Sequence, residues 1–175
     1  IVDKWARAQS ALACGADLVI ELPVFDAVQA ASNFAQGGVA LLAALGVSTI
    51  AFGTENTSVD YANLAQSMNQ VQPAAEHFQG DFTQTSWTQL TADYQTQLGL
   101  DLSQPNMLLG LSYAQANAAL GTPMQVLPIA RRGVLHDAET FQAGFASASA
   151  LRAQLAAGES PQGFVPEATL IALKA

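Results

Sequence analysis

Apolar residues along this chain keep two rhythms, a helical spacing of three and four and short unbroken runs, and their alternation predicts helices joined to buried strands. The first helix runs from Asp3 to Cys14 with Gly15 as its stop, and "DLVIELP" follows as a buried strand, Asp17 to Leu22, ended by Pro23. "FDAVQAASNFAQGGVALLAALG" reads as one helix capped by Asp26 and stopped at Gly46, with Gly37 and Gly38 weakening its middle. "VSTIAFG" is a second strand over Thr49 to Phe52, and "TENTSVDYANLAQSMNQVQ" is a turn leading into an amphipathic helix. Residues 70–100, rich in glutamine, threonine and aromatics, read as a helical insertion without a repeat. Pro105 opens a helix that continues to Gly121, and "MQVLPIAR" supplies a third strand, Met124 to Ile129. After the polar "HDAETFQAG" comes a closing helix, "SASALRAQLAAGES", with Leu151 and Leu155 on one face and Gly158 as its stop.

Strand, helix and strand in succession form a β-α-β unit, which implies an α/β fold with all three strands in one parallel sheet. Ligands of such sheets bind beyond the carboxyl ends of the strands. The residues placed there are Glu21, Gly53 to Asn56, and Arg131 with Arg132. Glu21 reads as a cap on a neighbouring backbone group and is assigned no chemistry. Gly53 has two readings: a turn that needs positive φ, or a bare stretch of backbone that a nucleotide can approach. Asn106 is either an ordinary first-turn residue or an amide that pairs with a base or ribose.

Composition narrows the class. Half of the 175 residues are hydrophobic and 11% are charged, which describes a globular chain able to bury a core. No apolar run is long enough to span a bilayer. Cys14 is the single cysteine, so an internal disulfide framework and a cysteine-rich zinc site are excluded, and a reducing cytosol is the expected compartment. His77 and His136 lack metal-ligand spacing. The chain opens on Ile1 in the middle of helix-like sequence and reads as a piece of a longer protein.

A net charge of −8 counts against a broad nucleic-acid surface, because phosphate contacts need lysine and arginine. Placement modifies that picture: no lysine or arginine occurs from Ala8 to Ala130, yet Arg131, Arg132 and Arg152 then fall within one short span. Lys4 and Arg7 share one helix face by their spacing, as solvated helix charges or as contacts to RNA or nucleotide. "FASASALR" sets small hydroxylated residues at a helix start with an arginine one turn on. It is either a serine N-cap with a solvated arginine or an anion site made of backbone N–H groups, hydroxyls and a guanidinium.

Five stretches, "KWARAQSALACGADLVIELP", "IAFGTEN", "DLSQPNMLLG", "PIARRGVLHDAE" and "FASASALR", resemble in order and spacing the bacterial tRNA(Met) cytidine acetate ligase family. The resemblance covers Lys4 to about Leu155. It implies a three-layer, nucleotidyltransferase-like (Rossmann-like) parallel sheet over residues 1–158, with the helical insertion, and a tail or the start of a C-terminal region over 159–175. It also implies an enzyme that uses ATP to activate acetate as acetyl-adenylate and then acetylates N4 of the wobble cytidine of elongator tRNA(Met); Mg2+ with the ATP is an expectation from phosphate chemistry. By position, Gly53, Asn106 and Arg131 match the family's ATP-contacting residues, and Ser147, Ser149 and Arg152 match its phosphate-binding signature. Lys4, Arg7 and Arg132 are left as candidate RNA or nucleotide contacts.

The chain departs from that family in three places. Ala150 stands where a hydroxylated residue is usual, the insertion is acidic and glutamine-rich where relatives tend to be basic, and the H-x-G-H histidine pair would precede Ile1. The expectation is therefore a chain that is incomplete for catalysis alone. Two other readings stay open: a small-molecule adenylyltransferase on the same fold, and a non-catalytic nucleotide- or RNA-binding relative.

Overall fold

The computed structural model describes residues 2–70, 104–131, 141–142 and 145–174. In chain order the elements are α1 (Lys4–Ala13), α2 (Val24–Ala27), α3 (Ala31–Ala44), β1 (Thr49–Thr54), α4 (Tyr61–Gln70), α5 (Pro105–Ala118), β2 (Gln125–Ala130), β3 (Phe141–Gln142), β4 (Phe145–Ala146), α6 (Ala148–Ala156) and α7 (Glu167–Lys174). They divide between two compact units, Leu22–Arg131 and a second made of Ile1–Glu21 with Arg132–Ala175. Apart from Gln70, the insertion expected over residues 70–100 lies outside the described residues, as do Arg132 and His136.

In the Leu22–Arg131 unit, β1 and β2 pair in parallel with Thr49 opposite Gln125 and Thr54 opposite Ala130. Period-two alternation puts Ile50, Phe52 and Thr54 on the buried face of β1. Helix α5 covers that face with a stripe at helical spacing, Met107, Gly110 with Leu111, Ala114 and Asn117. Phe52, Tyr61, Leu64, Met107 and Leu111 form one cluster, and Val39, Ile50 and Met124 form a second. Each large apolar side chain buried there contributes roughly 1.5–3 kcal/mol. The opposite face of the strand pair is open, with Leu127 and Ile129 exposed at 47% and 52%.

Gly110 is where helix and sheet come closest. A Cβ at this position would collide with the ring of Phe52, and that ring is boxed in by Tyr61, edge-on at 5.2 Å, and Tyr113 at 5.8 Å. Alanine would gain about 1 kcal/mol of helix propensity. Overpacking a filled core costs about 1–3 kcal/mol. Gly110→Ala is therefore expected to lower stability by up to about 2 kcal/mol, read as a lower denaturation midpoint in urea. An unchanged or higher midpoint would show that the ring can move aside.

Two sequence expectations are corrected here. Asp17 to Leu22 is not a strand of the sheet: the segment pairs with neither β1 nor β2, and Leu18, Val19 and Ile20 are exposed. An apolar run becomes a strand only where a neighbouring edge accepts its backbone hydrogen bonds, and its own sequence cannot supply that edge. The second correction concerns the long helix expected around Asp26. It is two helices, α2 and α3, and Asp26 lies inside α2 rather than acting as a cap. In one continuous helix Asp26 and Gly37 would stand about 16 Å apart. Instead the chain folds back so that the Asp26 side chain occupies the place where a Cβ of residue 37 would be, which makes glycine there a packing requirement.

The other unit holds the remaining elements. In α1 the Asp3 carboxylate accepts the Ala6 N–H at 2.8 Å, and Gly15 follows the helix with φ +106°. Helix α7 packs on α1, with the Ser10 hydroxyl donating to the Ala168 carbonyl at 3.4 Å. β3 and β4 pair antiparallel, where the sequence pattern placed a loop ahead of α6.

Candidate functional site

The carboxyl ends of β1 and β2 gather three of the residues singled out by sequence. Gly53 lies opposite Ile129 in the register, and the Arg131 N–H continues the ladder to the Thr54 carbonyl at 2.9 Å. Gly53 is extended strand and not one of the positive-φ glycines, so the turn reading does not hold. A Cβ there would meet nothing within 4 Å. Neither backbone conformation nor internal packing calls for glycine at this point, and the open space beside it leaves bare backbone accessible. Arg131 is exposed and, among the described residues, has no carboxylate partner.

Asn106 joins this rim through Glu55, a residue that the sequence reading placed on the rim within Gly53 to Asn56 without giving it a role. Residue 106 sits in the first turn of α5, whose N-cap residue, Gln104, makes no side-chain cap. Glu55 takes over that task across 51 positions of sequence: its Oε1 accepts Asn106 Nδ2 at 2.6 Å and its Oε2 accepts the Met107 N–H at 2.9 Å. Partial burial alone would raise the Glu55 carboxyl. The Asn106 amide, with the N–H groups of Glu55, Met107 and Asn106, favours the carboxylate more strongly, so its pKa lies below the ordinary value. An acidic residue just past a strand and a proline-opened helix without its own cap were the available signals.

Beneath the rim the polar groups are satisfied. Thr54 is buried and its Oγ1 hydrogen-bonds the Tyr61 hydroxyl, which also donates to the Asn56 carbonyl at 3.0 Å. Burial raises the Tyr61 pKa, the Thr54 bond opposes this, and the Glu55 charge adds to the rise. Asn56 Oδ1 accepts the Ser58 N–H at 2.9 Å, and Asp60 Oδ1 accepts the Asn63 N–H at 3.1 Å at the start of α4. The turn from β1 into α4 is thus built from side-chain caps.

In the other unit Ser147 is the N-cap of α6, buried, its hydroxyl accepting the Ala150 N–H at 3.0 Å. The cap reading of that serine is correct as far as it goes. Ser149 is half-buried, and Arg152, on the second turn, is exposed and without a carboxylate partner among the described residues. Lys4 is committed to Glu21 at 2.8 Å and lies over the Trp5 ring at 5.2 Å, while Arg7 is exposed. This exposed ion pair contributes at most about 1 kcal/mol. Among the described residues no three His, Cys, Asp or Glu side chains come together as a metal site.

A parallel strand pair with open backbone at its carboxyl end, flanked by an arginine and a helix-start asparagine, belongs to an α/β domain, and the sequence profile of HIGH nucleotidyl transferases matches residues 1–175. The chain belongs to that family. Among curated proteins it is 46% identical to the tRNA(Met) cytidine acetate ligase of Latilactobacillus sakei, over 99% of this chain and 45% of that protein. It is 44% identical to the one from Lactobacillus delbrueckii subsp. bulgaricus, over 87% of this chain and 40% of that protein. Thermotoga maritima TmcAL bound with alpha-thio ATP superposes with a TM-score of 0.79 at 26% identity, covering 99% of this chain and 44% of that one. The apo form I gives 0.80 at the same identity. The chain thus spans less than half the length of these relatives, and the likeness bears out the nucleotidyltransferase-like α/β fold expected from the motifs.

Proposed function

We propose that the intact gene product uses ATP to activate acetate as acetyl-adenylate and acetylates N4 of the wobble cytidine of elongator tRNA(Met). The observation that carries this reading is the rim of Gly53, Asn106 and Arg131 at the carboxyl ends of the strands, in a chain 46% identical to a tRNA(Met) cytidine acetate ligase. On this reading Gly53 lets the nucleotide lie against bare backbone, Asn106 meets the nucleoside, and Arg131 offers charge to the phosphates. Described by itself, the start of α6 offers Ser149 and Arg152 as candidate phosphate contacts, with Ser147 holding that start in shape. Mg2+ enters with the phosphates of ATP, which supply its oxygen ligands.

The chemistry then needs little from a protein nucleophile. An acetate oxygen attacks the α-phosphorus as pyrophosphate leaves, and the cytidine amino nitrogen attacks the acetyl carbonyl and gives up a proton as AMP leaves. Fixed donors that oppose the charge gathering on the phosphate oxygens supply the rate. Arg132, Arg7 and Lys4 are candidates for RNA contact, with Lys4 first having to leave Glu21. No described helix is long and apolar enough to cross a membrane.

Incubation of the intact protein with ATP, isotope-labelled acetate and elongator tRNA(Met) is expected to place labelled acetyl on a single cytidine, read by mass spectrometry of the digested tRNA. Modification that does not depend on acetate, or no modification of any tRNA, would overturn the assignment. Pyrophosphate release with a metabolite in place of acetate and tRNA would identify a small-molecule adenylyltransferase.

A further inference from the structure

We infer that Glu55 is a positioning residue that turns the Asn106 amide so that its carbonyl oxygen, and not its amino group, faces the nucleotide. This rests on the reading of Asn106 as an ATP contact. The Glu55 carboxylate can only accept hydrogen bonds, and it stands 2.6 Å from the Asn106 amide. Were the amide flipped, two acceptor oxygens would face each other at that distance. The amide is therefore held with Nδ2 toward Glu55, and Oδ1 is left to read a donor. The other carboxylate oxygen of Glu55, Oε2, accepts the Met107 N–H at 2.9 Å, which ties the carboxylate to the helix and keeps it from rotating away.

The same arrangement gives the rim a direction. A phosphate is ordinarily welcome at a helix start, but at α5 a first-turn N–H is already taken by a carboxylate, and the negative charge there repels a second anion. The β1–α5 corner thus suits the uncharged nucleoside end of ATP, leaving the phosphates to other groups. The donor that Oδ1 reads is an exocyclic amino group on the base or a ribose hydroxyl.

Glu55→Gln separates positioning from simple capping. Glutamine keeps an oxygen for the Met107 N–H, so α5 stays capped, while its amino group now donates to Asn106 Oδ1 and favours the flipped amide. With the intact protein and equilibrium binding of ATP, ITP, 2′-deoxy-ATP and 3′-deoxy-ATP, one of the analogues lacking a donor is expected to bind wild type about three- to tenfold more weakly than ATP. ITP being the weak one identifies the base amino group, and a deoxy analogue identifies the ribose. In Glu55→Gln, ATP affinity should fall by a similar factor and the preference over that analogue should vanish, with the melting temperature close to wild type. Should this variant not fold, the wild-type preference alone still tests the inference, since binding all four nucleotides equally would overturn it. If Asn106→Ala weakens ATP but Glu55→Gln keeps both affinity and preference, the positioning role is overturned and the ATP contact stands. If Asn106→Ala binds ATP like wild type, it is the ATP-contact reading itself that fails.

Discussion

Replacing Asn117 by leucine is expected to destabilise the intact protein by about 2–4 kcal/mol, although the two side chains are similar in size. Asn117 is buried near the end of α5 and uses both halves of its amide on one residue: Nδ2 donates to the Met124 carbonyl and Oδ1 accepts the Met124 N–H, each at 2.8 Å. This closed pair pins the chain just before β2 and thereby places the strand beside β1. Leucine would strand a buried donor and a buried acceptor together, each costing about 1–3 kcal/mol, and its apolar contacts recover part of that. The expected reading is a lower denaturant midpoint with an unchanged slope. A change within about 0.5 kcal/mol, the range of ordinary surface substitutions, would mean that water or a shifted backbone satisfies Met124 instead.

The second large effect is on nucleotide affinity. Arg152→Ala is expected to weaken ATP binding by one to two decades, because a hydrogen bond to a charged group contributes about 1.5–3 kcal/mol. Arg152 is exposed on α6 with no carboxylate partner among the described residues, so its guanidinium is available for phosphate. Ser147→Ala serves as the control. Its hydroxyl caps the Ala150 N–H, and losing it should cost helix stability on the order of 1 kcal/mol. Titration of ATP into wild type and both variants at matched salt separates the roles. Equal affinities for wild type and Arg152→Ala would leave "FASASALR" as the start of a helix and nothing more.

The contrast between these residues shows where the sequence was readable. Ser147 announced itself because a cap acts over three residues, and the family motif around it marked Arg152 as well. Asn117 gave no such signal: within a run of alanine, glutamine and leucine it looks like a polar helix position, and only the return of the chain to Met124 makes it a core residue. Glu55 is similar. Its neighbours in sequence identify a turn, and its partners lie 51 and 52 positions further on.

By itself the sequence determined what depends on short-range physics: the start of the first helix at Asp3 and its stop at Gly15, the proline start of α5, the two strands that pair, the Ser147 cap, and the motifs that align with the nucleotidyl transferase family. Periodicity and capping are set within one or two turns of chain, so a local pattern suffices. Only the tertiary structure decided that "DLVIELP" pairs with neither strand, that α2 folds back to bring Asp26 against Gly37, and that Glu55 rather than Gln104 caps α5. Each of those outcomes depends on a partner distant in sequence, an edge, a helix face or an uncapped terminus, and the chain must fold before that partner is present.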